Sequence, residues 1–311
     1  MIARKKVQNT TLQKIRRDIS MNKWVYVIAL PVLAYYILFC YLPMYGAQIA
    51  FKYYQPGKGI VGSSWVGLSH FVSFFKGVYF WRTLRNTLTI SISSLVFGFP
   101  SAIILALLLN EVKREKFKRC IQTVSYLPHF ISLVVVCGII REFTESSGLI
   151  NDIIAFFGGD RKTMLLNLKA FVPIYVISGV WQNIGWNCIV YLSALAGIDI
   201  ALYEAATVDG AGRWKKMLHV TLPGIAPTVI IMLILRVGQL MSVGHEKILL
   251  LYNESIYETS DVISTYIYRK GLYEQSYSFS SAVGLFNSAI NFVLVMAVNA
   301  FSRRVSETSL W

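Results

Sequence analysis

Apolar residues gather in six blocks of about 20 positions, 24–45, 86–109, 121–140, 171–192, 224–243 and 282–301, separated by polar intervals. About 20 residues is the length a helix needs to cross the hydrocarbon of a bilayer. None of the blocks alternates as a membrane barrel strand would. The pattern therefore predicts an all-α polytopic membrane protein with six transmembrane helices. A 1–23 tail, a 24–301 transmembrane domain and a 302–311 tail complete the division.

The polar interval 199–223 has an order of its own. Asp199 is a candidate cap, because its carboxylate can accept from the free N–H groups of a helix's first turn. Residues 201–209 contain no strong helix breaker, and Gly210 supplies a left-handed backbone to end the helix. An amphipathic turn is predicted from Arg213 to Val220, and Pro223 sits where a new helix can start without losing a needed N–H.

The other blocks and intervals carry fewer signals. Pro31 and Pro43 lie in the first block, and Gln55 to Gly59 read as a turn. Trp65, Phe71, Phe74, Phe75, Tyr79, Phe80 and Trp81 read as an interfacial aromatic belt, with substrate contact as the other reading. Gly98 and Pro100 predict a kink or close approach in the second span. His129 in the third is read as a packing histidine rather than a proton carrier, since no Asp or Glu accompanies it in any span. Ile150, Ile153, Ile154 and Phe157 outline a short surface helix, and Gly158-Gly159 a turn.

In the fourth span Gln182, Asn183, Trp186 and Asn187 fall on one helical face. Arg236 and Gln239 follow one turn apart in the fifth, and Gly284, Asn287, Ser288 and Asn291 form a stripe in the sixth. Amides between helices serve either as interhelical hydrogen bonds or as the wall of a polar path. Both readings stand for Gln182, Asn183, Trp186, Asn187, Arg236, Gln239, Asn287 and Asn291. Arg236 is the most demanding, because a guanidinium in hydrocarbon needs a cavity, carbonyls or a partner.

Composition agrees with the pattern. Of 311 residues, 55% are apolar and 15% charged, too apolar for an ordinary soluble domain. The net charge of +14 raises nucleic acid as a partner, but its placement excludes that reading. With both termini cytoplasmic, 17 Lys and Arg fall in the inner segments and 12 in the longer outer ones, as the positive-inside rule requires. The N-terminal basic residues then face anionic membrane lipids. The first apolar block is too long for a cleaved signal peptide and is expected to remain as a span. Cys40, Cys120, Cys137 and Cys188 are expected as free thiols.

Motifs for enzymatic work are absent. The chain has no phosphate-binding G-x-x-x-x-G-K-[ST], no H-E-x-x-H and no C-x-x-C, and its four histidines are scattered. No metal site or catalytic residue is predicted, and no cofactor is assigned to this chain. The energy source must be sought elsewhere, and 199–223 supplies the pointer. Glu204-Ala205-Ala206, three residues, Gly210, nine residues, then Val220-Thr221-Leu222-Pro223 resembles the EAA signature of ABC importer permeases, with Val220 in the place of an isoleucine. Leu202-Tyr203 and Asp209-Gly210-Ala211 resemble its sugar-permease form. Residues 45–52, 62–68 and 126–132 are similar to the branch that takes oligo- and polysaccharides.

The resemblance implies a coupling helix that docks in a groove of a cytoplasmic ATPase. Tyr203, Glu204, Ala205, Ala206, Asp209, Gly210, Leu222 and Pro223 are its implied contact and framing residues. Glu204 would meet the ATPase, the alanines would allow close approach, Gly210 would set the angle, and Leu222-Pro223 would tie the loop to span five. It further implies a bacterial multi-pass membrane location and a second permease chain as a heterodimer partner. Two ATPase subunits carrying ATP and Mg, an extracytoplasmic solute-binding protein and an oligosaccharide cargo complete the assembly. An ion-coupled secondary sugar carrier and a membrane-embedded glycan enzyme are the alternatives from other classes.

Overall fold

In the computed structural model, residues 17–305 together with Ser309 and Leu310 are described. The basic N-terminal tail therefore lies outside the described residues up to residue 16, as does part of 302–311. The chain forms two compact units that meet in sequence at Gly67 and Leu68.

The first unit carries span α1 (Lys23–Phe51), whose helical register widens to a π turn over Tyr36–Tyr41 and tightens to a 3₁₀ turn over Tyr45–Phe51. A two-residue pair of strands follows, β1 (Lys52–Tyr53) against β2 (Ser64–Trp65), antiparallel with Lys52 opposite Trp65. The expected turn lies inside it, as a 3₁₀ turn over Pro56–Lys58. Trp65 stacks on Phe51 at 5.9 Å.

The second unit is helical. Surface helix α2 (Ser69–Lys76) precedes α3 (Phe80–Glu111), and α4 (Glu115–Tyr126), α5 (Leu133–Thr144) and α6 (Leu149–Phe156) follow. Next come α7 (Phe171–Ala196), α8 (Ile200–Val208) and α9 (Arg213–Val237). The chain closes with α10 (His245–Leu251), α11 (Tyr257–Ser260), α12 (Ile263–Tyr268) and α13 (Tyr277–Val305). Among the described residues four helices, α1, α3, α9 and α13, are long and apolar enough to cross a membrane, and two bent pairs bring the total to six.

The third span is not the straight helix expected over 121–140. Its pair bends by 101° between Phe130 and Leu133. Leu127 keeps helical backbone before Pro128, Leu127–Phe130 tightens to a 3₁₀ turn, and the chain leaves the helix at Ile131, whose backbone is extended at φ −76° and ψ 135°. Ser132 then starts a new helix, its hydroxyl accepting from the Val135 N–H. The fifth span also differs. Helix α9 begins at Arg213 and ends at Val237, so Pro223 lies within a continuous helix instead of opening one, and 238–243 fall beyond it. The turn before the proline widens over Met217–Thr221, where the Leu222 N–H reaches back five residues to Met217. That wider turn accommodates a residue with no N–H to give.

The core is layered along α3 and α7. Ala102, Ala106 and Leu109 of α3 pack with Cys188, Tyr191 and Leu195 of α7 and with Ile225 of α9. A Cβ at Gly185 would overlap the Ser125 carbonyl, so α7 and the end of α4 approach backbone to backbone there. Nearer the other end, Ile90, Val136, Phe171, Ile248 and Val262 form a second cluster. Phe74 and Phe80, expected in an aromatic belt, instead enter a core with Met241, Ile263, Tyr266 and Val283; the two rings meet edge to face at 5.0 Å. Trp81 stays exposed. All four cysteines are free thiols.

The segment between α9 and α13 is anchored to the start of α3 by a fully buried carboxylate. Asp261 receives Arg269 at 2.8 Å and Arg82 at 3.2 Å, and the Thr265 hydroxyl donates to it at 2.9 Å. Asn86 on α3 donates to the Asp261 and Glu258 carbonyls.

Candidate functional site

Two regions of the second unit carry the predicted site residues. The first is the loop around α8. The Asp199 carboxylate caps it, accepting from the Ala201 N–H at 2.9 Å. Gly210 has φ of +74°, and the Ala211 N–H closes back onto the Ala206 carbonyl at 2.9 Å. That six-to-one closure is the glycine-ended helix stop the sequence implied.

Helix α8 has no buried residue. Ile200, Leu202 and Val208 are exposed on it, Val208 by 88%, and Trp214 and Leu218 are exposed on the following turn. Glu204, Ala205 and Asp209 are exposed and Ala206 is half-buried. Polar ties fix the element nonetheless. Tyr203 Oη lies 3.0 Å from Thr221 Oγ1, and Lys216 Nζ donates to Thr207 Oγ1 at 2.7 Å. A Cβ at Gly224 would press on Ile198 at 2.8 Å, so the start of the loop rests on α9 just past Leu222-Pro223. The loop is a braced, projecting knob with apolar surface to spare.

The second region is a cavity of about 250 Å³ bounded by α3, α7, α9 and α10. Five predicted residues line it: Gln182, Asn183, Asn187, Arg236 and Gln239. Three others lie elsewhere. Trp186 turns to His129, stacking on its ring at 4.5 Å, and His129 Nδ1 sits 3.1 Å from the Asn183 Oδ1. Asn291 spans to the loop after α9, accepting from the Met241 N–H and donating to Ser242 Oγ. The buried Oδ1 of Asn287 has no hydrogen-bond partner.

Sequence reasoning missed Lys247, which also lines the cavity. Its exposure is 7%. Its Nζ donates to the Tyr175 carbonyl at 3.1 Å and lies 4.7 Å from the Tyr175 ring centroid. Burial pushes its ammonium from 10.5 down to about 8. The helix containing it, His-Glu-Lys-Ile-Leu-Leu-Leu, buries Lys247 beside Ile248 and Leu251. A lysine on the apolar face of a short helix was the available signal. Ser91, Ser94 and Ser242 add hydroxyls to the lining. Such a wall of amides, hydroxyls and cations suits a hydroxylated guest. Among the described residues no group of His, Cys, Asp or Glu is placed to hold a metal.

Comparison with known proteins gives a consistent relationship. The family model described as binding-protein-dependent transport system inner membrane component matches residues 94–307. The chain is 42% identical to the polygalacturonan/rhamnogalacturonan transport system permease protein YteP of Bacillus subtilis (strain 168), covering 93% of this chain and 91% of that protein. Protein LplB of the same organism is also 42% identical, over 94% and 92%. Among solved structures, a chain from the bacterial alginate ABC transporter in complex with an alginate pentasaccharide-bound periplasmic protein superposes with a TM-score of 0.87. It is 43% identical, with 94% of this chain and 99% of that one covered.

Proposed function

The chain belongs to the family of binding-protein-dependent transport system inner membrane components, and from that premise we propose how it is driven and what it carries. It is a multi-span permease of an ABC importer, itself without catalytic work. Hydrolysis of ATP resides in the partner ATPase. The family name places it beside a binding protein, and that membership displaces the ion-coupled carrier and the glycan enzyme.

Our reading adds that α8 is the element gripped by the ATPase. The observation that carries it is the braced knob: a helix with no buried residue, apolar side chains outward, held at a fixed angle by Gly210 and the Tyr203–Thr221 tie. A helix that keeps its apolar face in water is short of a partner. Helix-in-groove docking would cover it, with Glu204, Ala205, Ala206 and Asp209 at the contact and Leu222-Pro223 passing the motion along α9. A second, related permease chain, two ATPases with ATP and Mg, and an extracytoplasmic solute-binding protein would complete the machine. Its cargo would be an oligosaccharide, entering the cavity lined by Gln182, Asn183, Asn187 and Gln239. The saccharide permease and the alginate transporter among its relatives support that choice.

The test is a reconstituted complex with its binding protein. Gly210→Val, which strains a backbone at φ +74°, and Glu204→Lys are each expected to lower transport-coupled ATP hydrolysis at least tenfold while the chain still inserts. Wild-type coupling in both variants would remove α8 from the role.

A further inference from the structure

Among the described residues two charges are deeply buried, and they are paired differently. Asp261, fully buried, holds two arginines. Lys247, 7% exposed, forms no ion pair among the described residues. Its one hydrogen bond goes to a neutral carbonyl, and the ring beneath it belongs to the same Tyr175. A buried ammonium with no counter-charge is costly. Here the cost is visible as a pKa drawn down to about 8 by burial, opposed only in part by the neighbouring Cys137 thiol.

The surroundings say where a counter-charge would enter. Lys247 opens on the cavity, and Arg236 lines the same space, also without an ion pair among the described residues. No Asp or Glu lines it. Gly179 stands opposite: a Cβ there would lie 3.6 Å from Nζ, so a larger side chain would take up the space beside the ammonium. The remaining polar lining, Gln182, Asn183, Asn187 and the serines, consists of neutral groups that match hydroxyls. The cavity thus holds positive charge in excess, and the cations are left unpaired where a guest would sit.

We propose that Lys247 reads a carboxylate on the saccharide, with Arg236 as a second cation in the same cavity, so that the permease selects sugar acids over neutral oligosaccharides of equal length. The proposal rests on the reading of the cavity as the path of an oligosaccharide, and it assigns the selection to this chain in addition to any made by a binding protein. A charge-assisted hydrogen bond from a desolvated ammonium to a carboxylate is about twice as strong as one to a neutral oxygen, and a guest lacking the carboxylate leaves the ammonium unpaired.

The experiment uses the purified full-length chain in its complex, without the binding protein. Trigalacturonate is the acidic probe, and the trisaccharide of galactose with the same linkages is the neutral one. Affinity is read by calorimetry and by ligand-induced shift in melting temperature. The wild type is expected to bind trigalacturonate at least tenfold more tightly than the neutral trimer. Lys247→Met should abolish that preference, bringing trigalacturonate down to about the neutral trimer's affinity, and Lys247→Arg should retain most of it. An equal preference in Lys247→Met, or none in the wild type, overturns the proposal. Loss of affinity for both probes in Lys247→Met, with Lys247→Arg no better, overturns it too, because the residue is then structural. These readouts do not involve ATP coupling, so their failure is separable from failure of the permease reading, which the Gly210 and Glu204 variants test.

Discussion

Lys247 and Asp261 sit in the same outer segment and both are out of water, yet one is an anchor and the other is poised. Asp261 is answered by three side chains: Arg82 on α3, Arg269 just past α12, and Thr265 within α12. The result is a closed charge cluster that fastens the segment to the head of α3. Lys247 is answered by a peptide carbonyl and an aromatic face. A rigid part of a membrane protein can answer a buried carboxylate from within the chain, whereas a binding wall must leave a charge for its guest. The difference in pairing, more than burial itself, separates scaffold from site.

The sharpest way to break the contrast is to take the charge from the anchor. Asp261→Asn leaves two guanidinium groups, 28% and 24% exposed at the side chain, repelling each other around a neutral amide. Removing one partner of a buried pair costs about 3–5 kcal/mol. We expect a loss of that size in a detergent unfolding series, with protease cleavage appearing between α9 and α13. A change below about 1 kcal/mol would mean that the cluster is not an anchor.

This pair of charges also marks how far the sequence could be read. The six apolar blocks follow from hydropathy, because lipid demands long helices that satisfy their own backbone. The α8 loop was legible down to its cap at Asp199 and its left-handed Gly210, since both are local signals. The bend in the third span was not, because a window of mean hydropathy passes over Pro128 and Ser132 without registering the break. Asp261 and Lys247 were not either. Arg82 and Asp261 are partners across 179 positions, and Lys247 was one more cation in the charge balance of an outer segment. Gln182, Asn183 and Asn187 were placed on a common face by spacing alone. Trp186 shares that spacing but turns to His129, a choice set by tertiary packing.

The opposite change, at the poised charge, is expected to stabilise. Helix α10 lies outside the membrane-spanning helices, and Lys247 has a folded pKa of about 8 against 10.5 when free. Between those values the unfolded chain holds more protons, so raising the pH across that window increases stability. Below pH 8 both states are protonated and the whole penalty is present, up to about 3 kcal/mol by the size of the shift. Lys247→Met should therefore be more stable than wild type at pH 7 by up to that amount, and from pH 8 to 10.5 the wild type should gain on the variant as the lysine's penalty lifts. A lower melting temperature at pH 7 would show that the ammonium is satisfied after all. It would also remove the distinction from Asp261.

The smallest test trims the anchor without touching its charges. Thr265 donates to the Asp261 carboxylate at 2.9 Å, and its hydroxyl also accepts from the Val262 N–H at the start of α12. Thr265→Val keeps the side chain's shape and leaves both arginines in place. It removes one donor from the carboxylate and strands one buried N–H. A net loss of about 1–2 kcal/mol is expected, well below that of Asp261→Asn. The two effects should not add in the double variant, because an amide at position 261 has already weakened the bond that the threonine makes. Full additivity would mean that Thr265 acts on the helix start alone, and that Asp261 is held by its arginines without help from α12.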